Sequence, residues 1–194
     1  MLPAALLTAG AVGWLLVAER ASSSARSIAK PLASAGFLAV AIAAGALDTS
    51  FGRWMLAALV LSTIGDVFLL GKSELAFLAG LGSFLAAHLL FVVAFTVRGI
   101  APAGLVSIVP LKLFAWWVLR WLGPHLSDRM RSPVTAYALV ISLMGVVAIA
   151  TVADAWDARI PVGAALFIVS DLAVARDNFV TPGFQNRLVG LPLY

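Results

Sequence analysis

The chain has 194 residues, 62% of them hydrophobic and 11% charged, and its mean hydropathy is +1.05. Soluble domains carry about 25% charged residues, so this composition excludes an ordinary water-soluble globule and points to a membrane protein. The formal net charge of +4 is spread over short connections, which fits topology and attraction to a membrane surface rather than a nucleic-acid partner. With no cysteine there is no disulfide, thiolate nucleophile or iron–sulfur cluster.

The first apolar run, Leu2 to Ala18, lacks the basic n-region and A-x-A site of a cleaved signal peptide and is followed by six more such runs, so it reads as a first span. The others are Ile28–Leu47, Trp54–Leu70, Leu75–Val97, Pro102–Trp121, Val134–Ala153 and Ile160–Ala175, each near the roughly 20 residues that ~30 Å of hydrocarbon requires. An eighth begins near Phe184 and is apolar from Leu188 to Tyr194, too short to cross. The expected fold is an all-α polytopic transmembrane bundle of seven spans plus a short or truncated eighth. The connections are short and there is no composition shift, so residues 1–194 read as a single domain.

Nine of the 13 Lys/Arg residues fall on alternate connections taken as one side: Arg20, Arg26, Lys30, Lys72, Arg120, Arg129, Arg131, Arg176 and Arg187. The other side holds Arg53, Arg98 and Arg159, and Lys112 lies within the fifth span beside Pro110, where it fits a kink, a snorkelling amine or a counter-ion. By the positive-inside rule the richer side is cytoplasmic and the N-terminus is outside, in a cell membrane.

Ionisable groups within hydrocarbon cost a few kcal/mol and by default face a bundle interior or a pathway. Asp66, in Ser62-Thr63-Ile64-Gly65-Asp66-Val67, sits about 6 Å inside the cytoplasmic end of the third span, and Asp171 mirrors it in the seventh. Lys30 opens the second span at that face, Tyr137 places a phenol at similar depth, and Asn178 follows Asp171 by two helical turns. These five are expected to converge on one polar pocket. Paired carboxylates, one kept neutral and one ionised, suit proton transfer. The same residues also fit a structural reading, with Asp66 tied to Lys30 to hold helices together and Tyr137 in an interfacial belt, and Lys30 on its own also fits an amine that snorkels to the interface without a partner.

His88 is mid-span, with Phe84 and Phe91 on its face, a stripe that suits either an acyl-chain channel or ordinary packing around a satisfied imidazole. No His-x-x-x-His or cysteine pattern is present, so no metal and no cofactor are expected. Intramembrane Asp and His also make proton relays, so a proton-coupled transporter using Asp66, Asp171 and His88 is the main alternative, though no clear inverted repeat is found. A non-enzymatic lipid-binding protein and a serine esterase complete the set, the last without a Gly-x-Ser-x-Gly elbow.

Lys30-Pro31-Leu32, Gly65-Asp66-Val67-Phe68-Leu69-Leu70, Ala87-His88-Leu89-Leu90-Phe91 and Leu166-Phe167-Ile168-Val169-Ser170-Asp171 resemble, in order and spacing, the lysoplasmalogenase family of YhhN-like membrane hydrolases. Pro133-Val134-Thr135-Ala136-Tyr137 and Asn178-Phe179 extend the resemblance over nearly the whole chain. It implies hydrolysis of the vinyl ether of a lysoplasmalogen, a lysophospholipid, to a fatty aldehyde and glycerophosphoethanolamine or glycerophosphocholine. Such hydrolysis begins with protonation of the carbon β to oxygen, and water then captures the oxocarbenium ion. On that reading Asp66 is the general acid and Asp171 activates water, with the two roles open to exchange. Tyr137 and Asn178 orient, His88 positions or relays a proton, and Lys30 meets the phosphate.

Overall fold

The structure, a computed structural model, describes residues 2–21, 25–155 and 158–193. Tyr194, at the end of the apolar eighth stretch, lies outside the described residues. Those described are all-α, with no strand among them. The helices are α1 (Leu2–Arg20), α2 (Arg26–Ala43), α3 (Ser50–Phe68), α4 (Glu74–Arg98), α5 (Ile108–Leu122), α6 (Asp128–Ala155), α7 (Arg159–Ala175) and α8 (Phe184–Leu193). Short 3-10 turns at Pro102–Ser107 and Gly123–His125 flank α5, and a π-turn at Arg176–Val180 continues α7.

The helix ends follow local chemistry. The second span was expected to reach Leu47, but α2 stops at Ala43, and Gly45 takes a φ of 81° that an L side chain rarely adopts. Thr49 then caps α3, its hydroxyl accepting from the Gly52 amide at 2.9 Å. The run from Pro102 divides into a 3-10 turn and α5. Pro110 therefore sits in the first turn of α5, just past the junction with the 3-10 turn, rather than in mid-helix. The sixth helix starts earlier than hydropathy suggests, at Asp128, whose carboxylate favours a helix N-terminus.

Ser50–Phe68, Glu74–Arg98, Pro102–His125 and Asp128–Thr151 are long and apolar enough to cross a bilayer, and Ser27–Ala43 is a shorter apolar helix. Many large side chains at the surface are apolar, among them Leu7, Val106, Val109, Leu113 and Trp116. Such a surface is costly in water and matched in lipid. The protein is an integral membrane protein.

Internal contacts divide the chain into two compact units, Met1–Leu90 and Phe91–Tyr194, the division falling within α4. In the first, small residues let helices approach closely. A Cβ on Gly36 would meet the Thr8 hydroxyl at 2.6 Å, and one on Gly65 would meet the Phe84 ring at 2.7 Å. The Ser83 hydroxyl, on α4, donates to the Leu61 carbonyl of α3 at 2.7 Å.

In the second unit α6 carries much of the core, with Met144, Ala148, Ala150 and Thr151 fully or almost fully buried. The turn before α5 lies against it: the Ala101 amide donates to the Ala150 carbonyl at 3.2 Å, and a Cβ on Gly104 would overlap the Ala150 backbone. Phe91 stacks on Phe95 and meets Phe167 edge-on. On α8, Gly190 admits the Ser170 hydroxyl of α7, which donates to the Gly190 carbonyl at 2.8 Å.

Candidate active site

The first unit holds an ion pair built from helical spacing. Lys30 and Ser34 are four residues apart and so share a face of α2. The Lys30 ammonium lies 3.0 Å from Asp66 Oδ1, and the Ser34 hydroxyl donates to Asp66 Oδ2 at 2.7 Å. All three are largely shielded, with the Lys30 and Asp66 side chains 14% and 6% exposed. A carboxylate in such surroundings requires a cation and further donors, and α2 supplies both. Lys30 thus spends its charge within the protein, as the structural reading has it, rather than snorkelling.

Asp66 belongs to a buried stripe on α3 formed by Ala58, Ser62, Gly65 and Asp66. Gly65 lets the Phe84 ring of α4 sit directly beside the turn that carries Asp66. Four residues beyond Phe84 is His88. Because α3 and α4 run in opposite directions through a short connection, this places His88 level with the turn from Ala58 to Ser62. His88 is fully buried, and its Nδ1 lies 2.6 Å from the Phe84 carbonyl. A carbonyl only accepts, so Nδ1 carries the proton in that contact and Nε2 is the basic nitrogen of the neutral ring.

The second unit holds the other carboxylate. Tyr137, two turns into α6, donates its phenol to Asp171 Oδ2 of α7 at 2.6 Å, both side chains being half-buried. Asn178 lies in the π-turn and is exposed, its amide donating to the Val174 carbonyl at 2.8 Å. π-turns interrupt the 3.6-residue repeat and recur at functional positions. Here the turn is held by a clasp. Asp177 Oδ1 accepts from the Gly183 amide at 2.7 Å and from Asn186 at 3.3 Å, and Asp177 Oδ2 accepts from Arg187 at 3.1 Å. Asn186 in turn donates to the Thr181 carbonyl and accepts from Arg176. The clasp fixes where α8 leaves α7.

Of the residues singled out from sequence, Lys30 with Asp66 and Tyr137 with Asp171 are each brought into direct contact. Sequence reasoning missed Ser34, Ser62 and the Asp177 clasp. The first two had a signal, since Ser34 is one turn from Lys30 and Ser62 one turn from Asp66. The clasp had none, because its members are joined by a turn whose π geometry hydropathy does not encode.

The YhhN family model matches residues 25–194, which include both carboxylates and His88. A lysoplasmalogenase of Mycobacterium bovis is 34% identical over 167 residues, covering 81% of this chain and 62% of that protein. Human lysoplasmalogenase TMEM86B is 34% identical over 164 residues, 84% of this chain and 66% of the human protein. Mouse TMEM86B is 31% identical over 182 residues, 93% and 74% of the two chains. The chain thus spans about 62% of the length of the mycobacterial relative. No solved structure matches it.

Proposed function

The chain belongs to the YhhN family, and on that premise we propose that it is a membrane-embedded hydrolase cleaving the vinyl ether of lysoplasmalogens. The observation that carries the reading is Asp66: a buried carboxylate held at both oxygens, by Lys30 and by Ser34, in a chain made largely of apolar helices. Relatives named lysoplasmalogenase, at 31–34% identity over most of this chain, support it.

In the proposed reaction an acid protonates the alkene carbon β to oxygen, a carboxylate faces the resulting oxocarbenium ion, and water adds to the α carbon. The hemiacetal then collapses to a fatty aldehyde and a glycerophospho-alcohol, so one water is consumed and no cofactor is needed. The ammonium beside Asp66 favours the exchanged assignment over the one first expected. Asp66 is then the carboxylate that accepts a proton from water, and Asp171, partnered by the Tyr137 phenol, is the acid. His88 serves as a relay through Nε2, and Asn178 orients. With Lys30 committed to Asp66, it acts by fixing that carboxylate rather than by meeting the lipid phosphate.

The same proposal includes a single transmembrane domain over 1–194 with seven spans and a short eighth, an outside N-terminus and residence in the cell membrane. The clustering of Lys and Arg on alternate connections supports this topology. The test is fatty-aldehyde release from a 1-alkenyl lysophospholipid by detergent-purified protein. Turnover is expected from the wild type, and its absence in folded, monodisperse protein would sink the reading.

A further inference from the structure

Six buried hydroxyl residues are found among the described residues: Ser34, Ser62, Ser107, Ser142, Thr151 and Ser170. Five of them donate to an identified acceptor. Ser34 reaches Asp66, Ser107 and Ser142 bond carbonyls three and four residues back, Thr151 bonds the Val147 carbonyl, and Ser170 crosses to Gly190. Ser62 is the exception. It is 0% exposed, yet its Oγ meets no hydrogen-bonding group of the described chain. The carbonyl of Ala58, four residues back, is the usual destination for such a helical hydroxyl, and Ser62 does not take it. A buried hydroxyl left without a partner costs about 1–3 kcal/mol, and where such groups persist they commonly serve a bound water or a catalytic role.

The position of Ser62 says which. It stands four residues before Asp66 on the same buried face of α3, so the two Cβ atoms are about 5–6 Å apart. Side chains on neighbouring turns of one face are within reach of a single water that accepts from the hydroxyl and donates to the carboxylate through hydrogen bonds of about 2.8 Å each. Asp66 has capacity for the water's proton, because Oδ1 is used once by Lys30 and Oδ2 once by Ser34, and each carboxylate oxygen offers two lone pairs.

We propose that Ser62 Oγ and the Asp66 carboxylate together hold the hydrolytic water. This rests on the vinyl ether reading given above and extends it to the nucleophile. The Ser62 hydroxyl donates to the water oxygen, one water proton points at Asp66, and an oxygen lone pair faces the substrate. When the α carbon becomes an oxocarbenium centre, the water oxygen forms the new C–O bond and its proton passes to Asp66. The acid has by then given its own proton to the β carbon. The hemiacetal moves its hydroxyl proton to the leaving oxygen as the C–O bond to glycerol breaks, so atoms and charges balance over one added water.

The test pairs kinetics with an experimental density map of the full chain, wild type and Ser62→Ala. We expect Ser62→Ala to lower kcat at least about tenfold, as loss of one organising hydrogen bond at a reacting group does, with KM within about twofold. Its thermal midpoint should be unchanged or raised, because the hydroxyl has no structural partner to lose. The map of the wild type should show a water within about 3.2 Å of both Ser62 Oγ and an Asp66 oxygen, and that of Ser62→Ala should lack it. Retained kcat, a lowered thermal midpoint, or a wild-type map without that water would each overturn the proposal. If the wild type releases no aldehyde yet the map shows the water, the vinyl ether reading falls and the water site stands.

Discussion

Asp66 and Asp171 are the same residue type in similar apolar helices, yet the two units hold them by different chemistry. In the first unit Asp66 faces an ammonium at 3.0 Å and a hydroxyl, and its side chain is 6% exposed. In the second, Asp171 is half-buried and accepts from a phenol at 2.6 Å. A cation and a hydroxyl hold the Asp66 carboxylate at its two oxygens, and a phenol from the neighbouring helix is among the groups that hold Asp171. Under the proposed reaction these two carboxyls divide the acid and base duties. Close approaches occur in both units and differ by position: Gly65 is set against the buried Phe84 ring, whereas Gly52 and Gly104 are set against the backbone of Ala46 and Ala150.

The hardest blow to that contrast is chemical. Asp66→Asn keeps the shape and the ability to accept from Ser34 but removes the charge, so aldehyde release should fall by at least about a hundredfold, the scale of a lost acid–base group. The measurement is turnover by folded, monodisperse variant protein, with Asp171→Asn beside it. Loss in both fits two distinct duties. Loss in Asp171→Asn alone would leave Asp66 a structural residue.

The next effect is on stability. Lys30→Met leaves the Asp66 charge buried without its cation and should cost about 3 kcal/mol in detergent unfolding. The double variant with Asp66→Asn should cost clearly less than the sum of the singles, since neither charge is then stranded. Additive costs would mean that the 3.0 Å pair contributes nothing beyond its two separate side chains.

Glycine substitutions sharpen the packing side. Gly104→Ala forces a methyl onto the Ala150 backbone and should destabilise by about 2 kcal/mol or more, whereas Gly65→Ala meets only the Phe84 ring and should cost less. Thermal midpoints of the two variants in one detergent decide this. A reversed order would mean that the ring beside Asp66 is less free to move than the Ala150 backbone.

What was legible in the sequence was set by long, redundant signals. Runs of apolar residues marked the helices, and helix periodicity with intramembrane charge singled out Lys30, Asp66, Tyr137 and Asp171, which the structure joins in two direct contacts. What was not legible depends on single local choices. Hydropathy runs straight through Ala44-Gly45-Ala46-Leu47, so the end of α2 at Ala43 is set by one positive φ at Gly45. Hydropathy likewise passes over Ser107, where the 3-10 turn gives way to α5, because the change is one of backbone hydrogen bonding and not of polarity. Ser62 stands one turn from Asp66, but the sequence does not say whether a helical hydroxyl finds an acceptor. Only the partners of the other buried hydroxyls make it stand apart.

The smallest predicted effect tests the second carboxylate most cleanly. Tyr137→Phe removes one oxygen and leaves the ring, so the bulk of the side chain between α6 and α7 is kept while the 2.6 Å bond to Asp171 is lost. Stability should fall by about 1 kcal/mol, the net worth of a hydrogen bond. If the phenol only joins helices, kcat and KM hold while the thermal midpoint drops. If it orients the acid that protonates the alkene, kcat falls several-fold at constant KM. The same comparison made with Ser34→Ala in the first unit shows whether a neutral donor matters as much beside a carboxylate that already has its cation. A smaller kinetic effect there than at Tyr137 is the expected result, because Lys30 still holds Asp66 in place.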